Sequence, residues 1–90
     1  MMKHKLTFTG DGWEDFNFWL DSDRSKAKKI KSLILDIDRN GALTGEGHPE
    51  ALKYDPGFFS RHITDSDRLV YTVSENEIII KSCRGHYSDK

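Results

Sequence analysis

The spacing of apolar residues near the start of the chain changes from alternating to helical. Leu6 and Phe8 lie on one face of a strand predicted over residues 5–9, and residues 10–12, with two glycines, are predicted to break it. Apolar side chains then recur at the spacing of one helix face. They are Trp13, Phe16 and Leu20. The pattern predicts a short strand followed by an amphipathic helix.

A second amphipathic helix is predicted directly after the first. Residues 21–23 offer N-cap side chains, and Asn40 followed by Gly41 is typical of a helix end. Lysines and arginines fill the positions between the apolar ones, which is typical of a solvated face. The apolar stripe consists of Ala27, Ile30, Leu33, Ile34 and Ile37. We expect the two helices to form a hairpin.

The second half of the chain reads as a long irregular segment followed by strands. Residues 42–57 contain three glycines and both prolines. Three strand-like runs follow, separated by polar turns. They are residues 58–64, 68–73 and 77–84. The order of one strand, two helices and three strands predicts an α+β fold, with the helices on one face of an antiparallel sheet, in a single domain over residues 1–90.

Composition limits the classes of function. Fourteen Lys and Arg against fifteen Asp and Glu give a net charge of -1, which argues against a protein that holds nucleic acid by charge alone. The single cysteine, Cys83, excludes an internal disulfide and favours a reducing compartment. No apolar run is typical of a signal peptide or membrane span, so we expect a cytoplasmic protein.

The four histidines are not spaced like metal ligands, so we expect neither a metal nor another cofactor. They are His4, His48, His62 and His86. Cations and aromatic rings are interleaved in the C-terminal half, as in surfaces that bind single-stranded RNA. The cations are Lys53, Arg61, His62, Arg68 and Arg84, and the rings are Tyr54, Phe58, Phe59 and Tyr87. Taken singly, each of these residues is typical of an ordinary protein surface.

Glu50, Arg68 and His86 supply a carboxylate, a guanidinium and an imidazole. These groups suffice to cleave an RNA phosphodiester without a metal: a base for the 2′-OH proton, a cation for the charge on phosphorus and an acid for the leaving oxygen. The sequence therefore points to an RNA-cleaving enzyme.

Five stretches together carry a family resemblance. They are WEDF at residues 13–16 with Trp19, GEGHPEALK at 45–53, FSRHI at 59–63, RLVY at 68–71 and CRGHY at 83–87. Over residues 6–87 the chain resembles the YoeB toxins, in the RelE-like superfamily of bacterial type II toxin–antitoxin systems. The resemblance implies an endoribonuclease that cuts messenger RNA on the ribosome. It also implies Glu50 as general base, Arg68 as the cation on the phosphate, His86 as general acid and Tyr87 as an orienting group.

The resemblance also implies partners. These are the ribosome with its messenger RNA and an acidic antitoxin that covers the site; a homodimer is left open. We expect the antitoxin segment to have anchors near Tyr54 and Phe59. It would lie over the predicted RNA-binding cations, which are Lys53, Arg61, His62, Arg68 and Arg84.

The chain departs from the family pattern at four places. Ala51 stands where proline is usual, and Gly85 where tyrosine is frequent. An Arg–Arg pair is common where Arg61 and His62 stand, so one cation becomes titratable. Residues 88–90 extend past the usual end. We expect these changes to affect the grip on the substrate more than the chemistry.

Two alternatives use the same scaffold without RNA cleavage. One is a ParE-like poison of DNA gyrase, against which the retention of Glu50, Arg68 and His86 argues. The other is a corepressor formed with the antitoxin, which is compatible with a nuclease.

Strand register raises an objection to the site. A regular hairpin would set Arg68 opposite Cys83, and alternation would then place Arg68 on the face of Tyr87 rather than His86. A bulge near Gly85, or a terminal segment that leaves the strand, would bring His86 to the face of Arg68.

Overall fold

The computed structural model describes residues 1–85 as two helices packed on one face of a five-stranded sheet. In chain order the elements are β1 (Lys5–Phe8), α1 (Gly10–Ser22), α2 (Arg24–Asn40), β2 (Glu50–Ala51), β3 (Phe59–His62), β4 (Arg68–Val73) and β5 (Glu77–Ser82). The sheet order is β1-β5-β4-β3-β2. The predicted α+β fold is confirmed.

The sheet is mixed rather than wholly antiparallel. β3, β4 and β5 pair antiparallel as predicted, whereas β1 runs parallel to β5, with Leu6 opposite Ile78. The predicted irregular segment also contains a short edge strand, β2, in which Glu50 lies opposite Ser60 of β3. Because β1 and β5 are far apart in sequence, their pairing leaves no local signal.

α1 begins earlier than predicted, because its two glycines lie inside the helix. The Thr9 hydroxyl oxygen caps the helix by accepting the Gly12 N–H at 3.0 Å. A Cβ at Gly12 would lie 2.5 Å from the Ile80 carbonyl oxygen. Gly12 therefore permits a close approach of α1 to β5 instead of breaking the chain.

α2 follows the prediction closely. The Asp23 side chain accepts the Ser25 N–H as an N-cap, and the helix ends at Asn40, before Gly41 with a φ of +92°. All members of the predicted apolar stripe are buried. They pack in one core with strand side chains that include Leu69, Tyr71, Ile78 and Ile80. Each fully buried aliphatic side chain stabilises the fold by about 1.5–3 kcal/mol.

The β4–β5 hairpin contains a bulge. Tyr71 lies opposite Ile80, whereas the preceding residue of β4 lies opposite Ser82, which leaves Lys81 as an extra residue in β5. The bulge is thus several residues earlier than the predicted position near Gly85, but its extra residue likewise shifts the pairing of β4 beyond it by one position.

The bulge overturns the regular register expected for Arg68. This residue is not bonded to Cys83; its backbone N–H donates to the Gly85 carbonyl oxygen at 3.0 Å. Simple alternation counted from the hairpin turn therefore does not decide which of the final residues shares a face with Arg68.

Candidate active site

Strand alternation divides the side chains of β3 and β4 between two faces of the sheet. Arg61 of β3 pairs with Asp36 of α2, and Leu69 of β4 lies in the core beneath the helices. The neighbouring His62 and Arg68 therefore lie on the opposite face. We call this the distal face, and it carries Glu50, Ser60, His62, Arg68 and Val70.

Three polar side chains from three adjacent strands meet on the distal face. His62 lies directly opposite Arg68, and Glu50 lies opposite Ser60, two residues before His62. Directly opposed residues have Cβ atoms about 4.5–5.5 Å apart, and diagonal neighbours are about 7–8 Å apart. The Glu50 carboxylate is exposed and has no hydrogen-bond partner within residues 1–85. The fold thus brings to one surface a guanidinium and a carboxylate that no residue of the described range engages.

The Arg68 guanidinium is held by the turn that precedes β4. Its Nη1 donates to the carbonyl oxygens of Thr64 and Asp65, both at 3.1 Å, and of Asp67 at 3.4 Å. Nε and Nη2 make no hydrogen bond with any described residue. One edge of the fork is therefore fixed by the protein, while the rest is available to an anion such as a phosphate.

His48 joins the group from the loop before β2. Its ring lies edge-on to the His62 ring, with centroids 5.4 Å apart, and the backbone N–H of His62 donates to the Gly47 carbonyl oxygen at 2.7 Å. Burial, followed by the charges of Arg68 and His48, lowers the pKa of His62 below its ordinary value of 6.5. No sequence pattern singles out His48; the one signal is its place shortly before Glu50.

The structure contradicts the prediction that Arg61 binds RNA. Arg61 is fully buried, and its guanidinium has five N–H groups, all of which find partners. Nε donates to the Tyr71 hydroxyl at 2.9 Å and Nη1 to the Asp36 carboxylate at 2.5 Å. The remaining acceptors are the carbonyl oxygens of Gly41, Thr44 and Glu46. Arg61 therefore anchors the loop between α2 and β2, and neither phosphate nor an antitoxin can reach it.

The other two predicted RNA-binding cations differ in position. Lys53 is exposed in the loop after β2, with its ammonium 5.3 Å from the centroid of the Tyr54 ring. Arg84 is also exposed, but its guanidinium stacks 3.8 Å from the centroid of the Phe18 ring on α1. Arg84 therefore points toward the helical layer and is not brought together with Glu50 and His62.

His86 and Tyr87 lie outside the described residues. The segment that leads to them is fixed: the Gly85 N–H donates to the Asp67 carboxylate at 2.7 Å, and its carbonyl oxygen accepts from Arg68. In sequence, His86 therefore comes directly after Gly85, which is hydrogen-bonded to both Asp67 and Arg68. Its predicted role as general acid, and the orienting role of Tyr87, stay predictions.

Two structural absences concern the described part of the chain. Within residues 1–85, no three His, Cys, Asp or Glu side chains are close enough together to hold a metal ion. Over the same residues, no helix has both the length and the apolar character needed to cross a membrane.

Known toxins match this chain along nearly its whole length. The family model described as the YoeB-like toxin of bacterial type II toxin–antitoxin systems matches residues 8–87. The chain belongs to this family. It is similar to Toxin YoeB of Streptomyces coelicolor, with 45% identity over 84 residues that cover 92% of this chain and 99% of the relative. The YoeB resemblance inferred from the five sequence stretches is confirmed.

Solved YoeB structures share the fold. The YoeB dimer from Staphylococcus aureus has a TM-score of 0.91 and 45% identity, over 94% of this chain and 99% of that one. The heterotetrameric YoeB–YefM toxin–antitoxin complex from the same organism has a TM-score of 0.87 and 46% identity, over 93% and 98% of the two chains. Among those YoeB structures, one is a dimer and the other includes an antitoxin.

Proposed function

We propose that this YoeB-like toxin is a cytoplasmic, single-domain endoribonuclease that cuts messenger RNA on the ribosome without a metal. The observation that carries the proposal is the shared position of Glu50 and Arg68 on the distal face. The carboxylate is unengaged by residues 1–85, and the same residues hold the guanidinium at one nitrogen only. A proton acceptor and an anion clamp on one surface suit attack on a phosphodiester.

The reaction uses the ribose 2′-OH as its nucleophile. Glu50 acts as the general base for the hydroxyl proton while O2′ forms a bond to phosphorus. Arg68 stabilises the extra negative charge on the phosphoryl oxygens, and His86 donates a proton to the 5′-oxygen as its bond to phosphorus breaks. Because the nucleophile is internal, the 5′ fragment ends in a 2′,3′-cyclic phosphate or its hydrolysis product.

Dependence on the ribosome follows from charge. With a net charge of -1, the protein has little long-range attraction for free RNA. The ribosome supplies both the docking surface and the strand, so we expect naked RNA to be a poor substrate.

The test is single-turnover cleavage of a defined messenger RNA on translating ribosomes. Glu50→Gln and His86→Gln should each slow cleavage by roughly 10²–10⁴-fold, the range for a positioned acid or base. Arg68→Lys should cost roughly 10²-fold, because an ammonium lacks the planar fork of a guanidinium.

Glu75→Gln and Arg39→Lys are matched controls, because both side chains are exposed and lie away from the distal-face cluster. They should cut at the wild-type rate. If all three site variants stay within about threefold of wild type, well short of the range for a positioned acid or base, the proposed mechanism fails. Loss of DNA supercoiling before loss of translation on expression would favour a gyrase poison instead.

We also propose that an acidic antitoxin segment silences the enzyme by covering the distal face near Lys53, His62 and Arg68. Disordered acidic segments suit this role, because they wrap extended surfaces and order only on binding. Arg68→Glu should weaken antitoxin binding, measured by calorimetry, whereas Arg39→Glu on α2 should not. Equal affinities for the two variants would place the antitoxin elsewhere.

A further inference from the structure

Residue 62 lies within the candidate active site, and it is a histidine where the family pattern has arginine. His62 lies opposite Arg68 and on the same face as Glu50, and its ring contacts the ring of His48. Neither nitrogen of the His62 ring has a hydrogen-bond partner among residues 1–85. Where the family resemblance leads us to expect a second arginine, the chain has a partly buried imidazole whose nitrogens are left unbonded by the described part of the chain.

Within residues 1–85, charged and titratable groups of several elements surround His62. They are Arg68 of β4, Glu50 of β2, His48 of the preceding loop, Asp65 of the β3–β4 turn and, across a cavity of about 340 Å³, Lys29 of α2. Burial, followed by the charges of Arg68 and His48, lowers the pKa of His62. The carboxylates of Glu50 and Asp65 offset that shift only in part. The imidazole is consequently neutral at neutral pH and accepts a proton instead of offering a positive charge.

We propose that His62 is a catalytic residue of this site and receives the ribose 2′-OH proton. The inference rests on the proposed function and changes one role in it: His62 takes the proton that the proposed function passes to Glu50. As O2′ bonds to phosphorus, its proton passes to an open nitrogen of His62, and the P–O5′ bond breaks with protonation of the leaving oxygen. The Glu50 carboxylate then stabilises the imidazolium, so it assists the proton transfer by charge.

The alternative is that His62, once protonated, simply replaces the expected arginine as a phosphate-binding cation. The two roles have opposite pH dependence. A proton acceptor must be neutral, so cleavage should slow as the pH falls through the pKa of His62, which lies below 6.5. A phosphate-binding cation must be charged, so cleavage should accelerate over the same window.

The experiment measures cleavage of ribosome-bound messenger RNA at subsaturating ribosome concentration as a function of pH. The proteins are wild type, His62→Gln and His62→Arg. We expect a wild-type rate that falls on the acidic side, a loss of roughly 10²–10⁴-fold in His62→Gln together with disappearance of that acidic limb, and no rescue by His62→Arg. A His62→Arg variant as fast as wild type would overturn the proposal, as would an unchanged pH profile in His62→Gln.

A second measurement does not depend on the folding of any variant. NMR titration of the His62 ring in the wild-type protein should give the same pKa as the acidic limb of the rate profile, because that limb reports the free enzyme. A clear mismatch would remove His62 from the proton transfer. The Glu50→Gln and Arg68→Lys variants separate the two proposals. If both variants are impaired while His62→Gln is not, only this inference fails; if neither is impaired, the proposed function fails.

Discussion

Replacing Arg61 by methionine should destabilise this toxin far more than replacing any solvated cation. Methionine is unbranched and fits an apolar environment, but its shorter side chain offers none of the five N–H groups of the guanidinium. The substitution leaves the Asp36 carboxylate buried without its counter-ion, although Asn40 and the Glu46 N–H still donate to it. It also removes the donor from three loop carbonyl oxygens.

The expected loss of folding stability in Arg61→Met follows from the burial of the ion pair. The side chain of Arg61 is 0% exposed and that of Asp36 is 10% exposed, so the pair is shielded from water. Removing one partner of such a pair typically costs about 3–5 kcal/mol. A domain of this size is stable by only about 5–15 kcal/mol. At about 4–8 °C per kcal/mol, the melting temperature should fall by roughly 12–40 °C.

Urea unfolding followed by circular dichroism measures the loss, with Lys28→Met on the exposed side of α2 as the matched control. The control should stay within about 0.5 kcal/mol of wild type. Arg61→Met combined with Asp36→Asn should recover about 1 kcal/mol or more, because no uncompensated charge remains buried. If Arg61→Met is as stable as the control and instead loses RNA binding, the reasoning is refuted and Arg61 is a surface cation.

Two further predictions concern other buried groups. The His4 ring and the backbone N–H groups that donate to Asp38 lower the pKa of its carboxyl from 3.8 to about 2. The stability that this shift gives is present above pH 3.8 and is lost as the pH falls toward about 2. In that range, wild type should therefore lose resistance to urea more steeply than Asp38→Asn. Parallel curves for the two proteins would contradict this prediction. Burial, and secondarily Asp15, raises the pKa of the Cys83 thiol to about 12, so iodoacetamide should modify the unfolded protein much faster than the native one; equal rates would contradict this.

Local patterns in the sequence predicted α2, most of α1 and two residues of the candidate site. The apolar stripe of α2 predicted its buried face, and Gly41 predicted its end, because both signals depend on residues within one or two turns. Glu50 and Arg68 were singled out by their chemistry and by the stretches that contain them, and the fold places both on the distal face.

Long-range contacts decided the strand order and the register of the sheet. Parallel pairing of β1 with β5 joins the two ends of the chain, and the extra residue at Lys81 shifts the register of the last hairpin. Neither leaves a local signal, because strand pairing depends on residues distant in sequence.

Arg61 and His62 show this division most clearly. In sequence they are adjacent basic residues of one predicted strand, so their side chains should lie on opposite faces, but no local pattern tells which face the helices cover. Strand alternation sends Arg61 to the buried Asp36 beneath the helices and His62 to the distal face beside Arg68. The sequence by itself determined which chemical groups this toxin has and where its helices lie. Only the tertiary structure decided which of the two residues supports the loop and which lies on the distal face, because that choice depends on which face of the sheet the helices cover.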